Sequence, residues 1–208
     1  MMRPAVRHGI PGRGCSMPRP MDTLTAIRTR RTVKRFTGAP LDRAQVEALV
    51  EAACWAPTHR LTQPWRFALL DQPAIARLGA WLDGREAVIA QPDPAKGAAK
   101  WAKLKAALPT LGALVMAGWK RAADPDEDRE DHAAACAAVQ NLLLAATAMG
   151  IGSFWSTNPM LSHAQTRGWA GLDPQCIGWI GALWLGRVDG PLPPPPPRRS
   201  VGDAARWC

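Results

Sequence analysis

Three short stretches hold the side chains best suited to chemistry. The first, Arg28-Thr29-Arg30-Arg31-Thr32-Val33-Lys34-Arg35, packs five cations into eight residues. Taken alone, such a run reads by default as a solvated face or a nucleic-acid patch. The alternative is a phosphate clamp, because guanidinium forks match phosphate oxygens in pairs and a neighbouring hydroxyl adds a further donor. The second stretch is the loop Pro57-Thr58-His59-Arg60-Leu61-Thr62-Gln63-Pro64. Its prolines stiffen it, so His59 and Gln63 can be aimed at a heteroaromatic ligand, although a lone histidine is more often structural. The third is Gly150-Ile151-Gly152-Ser153-Phe154-Trp155-Ser156-Thr157. Its glycines permit close backbone approach and its hydroxyls can bond a ligand, while the plainer reading is a helix C-cap and a tight turn.

Other chemistries lack their residues. There is no GxxxxGK[ST] loop, no HExxH, no G-x-S-x-G elbow and no GxGxxG opening a strand-helix unit. The four histidines, His8, His59, His132 and His163, are too scattered for an obvious metal site. The five cysteines, Cys15, Cys54, Cys136, Cys176 and Cys208, are odd in number and widely spaced. Neither a zinc knuckle nor a CxxC pair can form locally, which fits a reducing compartment. The start carries arginines but no apolar run of the kind that secretory signals need, so a cytoplasmic protein is expected.

Hydrophobic periodicity and caps predict the elements that hold these stretches. A helix over residues 22–29, capped by Asp22 or Thr23 with Leu24 and Ile27 on its apolar face, feeds directly into Arg30. A second over residues 42–55 has Asp42 as cap, an apolar stripe of Val46, Leu49, Val50 and Ala53, and Pro57 as its stop. Trp65–Leu70 reads as a strand and residues 73–82 as a helix. Residues 83–96, with Pro92 and Pro94, read as a mobile loop or lid, and residues 98–108 as a lysine-rich helix stopped by Pro109. Residues 110–119, apolar on both faces, suit a central buried strand. The acidic run from Asp124 to Asp131 suits the N-terminus of a long alanine-rich helix, which Gly150 and Gly152 end. A short helix near residues 161–169 and a strand over residues 177–185 follow. Residues 133–155 carry no charge, yet Gln140, Asn141 and many small residues favour a buried helix over a membrane span.

At 208 residues the chain suits one domain, expected over residues 21–190. Residues 1–20 read as a disordered basic extension, with Met21 as a second natural beginning, and residues 191–208 as a proline-rich tail in which residues 192–199 suit polyproline II. Of the net charge of +9, the extension holds +4 and the tail +2. The remaining 19 basic and 16 acidic residues leave the body nearly balanced. That disfavours a general nucleic-acid binder, whose cationic footprint should lie on the folded body. The rival reading is nevertheless a basic nucleic-acid or anion-binding module using residues 28–35 and the tails, and a further one makes the proline-rich tail a ligand for an SH3-like partner.

Taken in order, AIRTRRTVKRF, APTHRLTQPWRF, GIGSFWST and GALWLGR resemble the nitroreductase family, in its small single-domain bacterial branch. The match runs from residue 21 to about 190. The resemblance implies an α+β fold, with a mostly antiparallel central sheet flanked by helices. It implies a homodimer with the long helix at its interface and one FMN per site at that interface. The implied activity is an FMN-dependent oxidoreductase passing hydride from NAD(P)H, as co-substrate, to a nitroaromatic, quinone or related planar acceptor. No metal, membrane or nucleic-acid partner is implied.

Carried over residue by residue, the resemblance assigns Arg30, Arg31 and Thr32 to the FMN phosphate and ribityl chain. It makes His59 a flavin contact from the partner subunit, with Trp55 as a weaker one, and Gln63 a hydrogen-bonding group towards the flavin. Trp155, Ser156 and Thr157 also fall on FMN, although Ser156 stands where relatives often carry Arg. Ala145, Ala146, Thr147, Ala148, Met149 and Gly150 correspond to the region expected to meet NAD(P), and Arg187 to an extra phosphate partner. No catalytic side chain is expected, since the flavin N5 would carry the chemistry.

Overall fold

The structure, a computed structural model, describes residues 21–85 and 94–208, except for the side chains of residues 94–96. The central element is an antiparallel sheet of four strands in the order β1-β2-β4-β3, with β1 Trp65–Leu70, β2 Ala113–Lys120, β3 Gly152–Ser156 and β4 Ile177–Gly186. Every ladder is antiparallel. Eight α-helices are described: α1 Thr23–Thr29, α2 Arg43–Cys54, α3 Gln72–Leu82, α4 Pro94–Ala107, α5 Pro125–Ala148, α6 Pro159–Ser162, α7 Ala164–Trp169 and α8 Val201–Ala204. The expected α+β class is present.

The apolar run of residues 110–119 is central because both of its faces are covered. Val115 and Ala117 of β2 pack with Val46 and Leu49 of α2 and with Val139 and Leu142 of α5. On the other face, Leu114 and Met116 meet Leu78 of α3, Leu104 of α4 and Leu161 of α6. Burying each such side chain contributes about 1.5–3 kcal/mol, enough for the two layers to fix the sheet between them. The register shifts at Ala117/Gly118, where Gly181 and Trp179 are the partners on β4 and Ile180 is the extra residue. That bulge keeps Ile180 and Leu183 on the α2/α5 face, while Ala182 and Trp184 stay on the other.

Local signals set the helix ends. Asp22 accepts from the Thr25 N–H at 3.0 Å and caps α1, Gln45 reaches back to the Asp42 N–H at 3.2 Å at the start of α2, and Asp124 accepts from the N–H groups of Asp126 and Glu127 to start α5. Each cap is worth about 1 kcal/mol. Four expectations are corrected. Leu24 and Ile27 are exposed, and only Ala26 of α1 is buried, so the apolar stripe of that helix faces away from its own chain. The lysine-rich helix α4 begins at Pro94 rather than residue 98, since proline is well suited to a first turn. Gly150, with φ of +68°, follows the end of α5, but Gly152 lies in β3, so residues 152–156 form a strand instead of a turn. The short helix near residues 161–169 is two, broken at His163, whose extended backbone caps α7.

The loop or lid expected over residues 83–96 lies partly outside the described residues, as does the basic extension of residues 1–20. Residues 191–208 are exposed throughout and bury nothing. Among the described residues no helix is long and apolar enough to cross a membrane.

Candidate functional site

The candidate residues fall into two groups at different corners of the sheet. The first forms where α1 ends. Arg30 is the C-cap of α1, and the chain beyond it pairs with the outer edge of β3 through a parallel bridge between Thr32 and Ser153. The Val33 N–H donates to the Ser153 carbonyl at 2.9 Å. Arg30 and Arg31 are therefore half-buried rather than part of a solvated face. Arg31 is further fixed by donating from Nη1 to the carbonyls of Arg28 and Arg30, at 2.8 and 3.0 Å. This arrangement covers the carbonyl end of α1 with positive charge.

A third cation joins them from the far end of the chain. Burial, and then the charges of Arg198 and Arg31, push the Arg30 guanidinium below its ordinary value. Among the described ion pairs none gives Arg30, Arg31 or Arg198 a carboxylate. Across the bridge to Thr32, the Ser153 hydroxyl, on a residue 2 % exposed, has no hydrogen-bond partner. Cations without a described carboxylate are suited to an anion with several acceptor oxygens. The resemblance did not single out Ser153 or Arg198: Ser153 lay beside the matched Trp155, Ser156 and Thr157, and Arg198 sat in the basic tail that only the anion-binding alternative used. Arg187, the expected extra phosphate partner, is exposed just after β4, and its carbonyl accepts from the Thr37 N–H at 3.0 Å.

Trp155, Ser156 and Thr157 continue from Ser153 along and past β3. The Trp155 indole lies across β4 and donates to the Ile180 carbonyl at 3.1 Å, so its N–H is already committed to the protein. Gly181 has no side chain because a Cβ there would fall onto that indole. Ser156 is buried and accepts from the Asn158 N–H at 3.3 Å, whereas Thr157 is exposed. The last turn of α5 adjoins this corner, since the Ile151 N–H donates to the Ala146 carbonyl at 2.8 Å and β3 begins one residue later. Within that turn Ala146 is buried, Ala145 and Thr147 are half-buried, and Ala148, Met149 and Gly150 are exposed.

The second group sits at the opposite edge. Trp55 is the C-cap of α2 and is 79 % exposed, and a 3₁₀ turn, His59–Leu61, leads through Gln63 to β1. The His59 Nε2 lies 3.7 Å from Glu130 Oε2, and a cleft of about 300 Å³ there is lined by His59, Arg60, Asp124, Asp126, Glu127 and Glu130. This corner is mostly acidic and the Arg30 corner is cationic, so the latter is the one that favours an anion. Because β1 and β3 are the two edges of the sheet, separated by β2 and β4, a single chain does not bring the two groups together. Among the described residues no cluster of three His, Cys, Asp or Glu is placed to hold a metal ion.

A family model described as Nitroreductase family matches residues 27–187. The chain belongs to the nitroreductase family. Among its relatives is YfhC of Bacillus subtilis (strain 168), provisionally named an NAD(P)H nitroreductase. The two are 28 % identical over 136 residues, which cover 65 % of this chain and 69 % of YfhC. The fold is similar to that of a nitroreductase-like family protein from Bacillus cereus, with a TM-score of 0.79, 21 % identity, and coverage of 93 % of this chain and 99 % of the other. It is also similar to a provisionally named nitroreductase from Desulfovibrio desulfuricans solved in complex with FMN. That match has a TM-score of 0.68, 26 % identity, and coverage of 89 % of this chain and 95 % of the other. As a nitroreductase-family chain, the molecule joins its matched segment, residues 27–187, to a tail whose Arg198 acts on Arg30 from outside it.

Proposed function

We propose that this nitroreductase-family protein is an FMN-dependent oxidoreductase that takes hydride from NAD(P)H and delivers it to a planar acceptor such as a nitroaromatic or quinone. The observation that carries the reading is the half-buried Arg30, crowded by Arg31 and Arg198 without a described carboxylate, just before Thr32 bridges to the edge strand β3. These groups fit the terminal phosphate of FMN. Arg30, Arg31 and Arg198 would neutralise it, while Thr32 supplies a hydroxyl donor. The FMN complex of the Desulfovibrio desulfuricans relative supports the same cofactor.

When bound, FMN supplies two-electron transfer between a nicotinamide and an oxidised acceptor, and the protein supplies binding and orientation. The cationic corner fixes the phosphate end, which sets the direction of the ring. Thr157, exposed beyond β3, can present a hydroxyl, and the last turn of α5, with Met149 exposed, gives the nicotinamide an apolar approach. Trp155 acts from beneath by holding β3 on β4. Arg187 would be a further positive charge near the phosphate.

We further infer that the site is completed in a homodimer, with Trp55, His59 and Gln63 of one copy facing the flavin held by the other. The opposite-edge placement of the two groups supports this, as do Leu24, Ile27, Trp55, Leu61 and Met149, which expose apolar surface on the single chain. The protein is expected to work in the cytoplasm. The deciding experiment is an absorbance spectrum of the pure protein, followed by anaerobic addition of NADH or NADPH. Flavin bands that bleach with either donor support the function, and a colourless protein that takes up no FMN in titration overturns it.

A further inference from the structure

Loop 57–64 carries the densest backbone strain among the described residues. Arg60, Leu61 and Gln63 have φ of +49°, +56° and +44°, the left-handed region in which a Cβ crowds the following carbonyl oxygen. None of them is Gly, Asn or Asp, the residues that tolerate it. Such a run persists only where its surroundings over-determine it.

Those surroundings form a one-way relay. Thr62 Oγ1 donates to Asp131 Oδ1 at 2.5 Å, which commits the single Thr62 hydroxyl proton. The 2.9 Å contact between the Thr58 and Thr62 hydroxyls is then donated by Thr58. Thr58 Oγ1 in turn accepts the Gln63 N–H at 3.2 Å. Donation therefore runs from Gln63 through Thr58 and Thr62 to Asp131. The acceptor at its end is 5 % exposed, whereas Asp124, Asp126 and Glu130 of the same acidic run lie on the surface. Burying a carboxylate is costly, and here it spans from α5 to the loop that holds His59 and Gln63.

We propose that Asp131 is a positioning residue: through Thr62 and Thr58 it holds the strained loop in the one conformation that presents His59 and Gln63 to flavin. This role rests on the flavin reading above.

The test uses the full-length protein, with FMN and after its removal. Thr62→Val preserves shape and breaks the relay, Thr62→Ser preserves the hydroxyl, and Asp131→Asn removes the charge. Three quantities are read: exchange of the Gln63 amide with deuterium, FMN affinity by quenching of flavin fluorescence, and visible circular dichroism of bound flavin. Thr62→Val is expected to speed Gln63 exchange and weaken FMN by about tenfold each, the scale of one lost hydrogen bond to a charged group, and to alter the flavin dichroism. Asp131→Asn should shift the same readouts in the same direction, and Thr62→Ser should restore all three. Native FMN affinity and dichroism in Thr62→Val overturn the role even if the protein melts earlier, since a lower Tm alone is what a purely structural bond gives. Should Thr62→Val fail to fold, Thr58→Val breaks the relay one hydroxyl farther from the buried carboxylate and decides by the same readouts. Failure of the unaltered protein to bind FMN overturns the flavin reading and this role together, whereas failure confined to the variants' predicted changes overturns this role alone.

Discussion

Arg198, in a tail that buries nothing, acts on the guanidinium of Arg30 at the end of the first helix. The two arginines repel, and burial of Arg30 sharpens the cost. An anion bound between them would attract both guanidinium groups and offset that repulsion.

Arg198→Ala should therefore weaken FMN by about tenfold to a hundredfold, the range of one or two charge-assisted hydrogen bonds, without lowering the Tm of the FMN-free protein, from which a repulsion has been removed. Replacing Arg30 and Arg31 together by Ala should leave a folded protein that purifies without flavin. Fluorescence titration and thermal melts check both, and undiminished FMN binding in either variant removes that residue set from the phosphate site.

At Gly181 the packing of Trp155 leaves no room for a side chain. Gly181→Ala should displace the indole, break its hydrogen bond to the Ile180 carbonyl and destabilise the fold by about 1–3 kcal/mol. Urea unfolding measures this, and an unchanged midpoint would mean that β3 is not held on β4 in this way.

Asp128 provides a pH dependence whose sign can be worked out. Burial alone would raise its carboxyl, but hydrogen bonds from Arg121, Trp119 and the Ala122 N–H prevail and hold it below the ordinary value. Its contribution is thus fully present above the unfolded carboxylate value near ~4 and is lost as pH falls through the folded value. Asp128→Asn should cost about 1 kcal/mol at pH 7, allowing for solvent around Arg121, and the gap from the unaltered protein should close in acid. Denaturant melts at pH 7, 5 and 3 follow it.

Elements whose burial is local to the chain could be read from residue order. The double-sided apolar run became β2, the capped stripe of Val46, Leu49 and Ala53 became α2, and the acidic residues led into α5. β3 was hidden because Gly152 and Ser153 are weak strand formers and its ladder partner β4 lies more than twenty residues farther along the chain. The left-handed Arg60, Leu61 and Gln63 were equally hidden, since nothing in those residue types asks for positive φ, and the cause lies on Asp131 of another element. At the site, Arg30, Arg31 and Thr32 were readable as a cation run with a hydroxyl. Arg198 was readable only as part of a basic tail in the anion-binding alternative, because its place by the first helix is set by the folded chain.

In the proposed homodimer, with the arginine corner at one border of the sheet and the histidine loop at the other, every chain would bear two unlike half-sites. A cell producing one chain damaged at Arg30 and Arg31 and another damaged at His59 would assemble some mixed pairs. Each such pair would contain one whole centre and one doubly broken one, so two inactive alleles should complement each other to about a quarter of normal capacity if pairing is random.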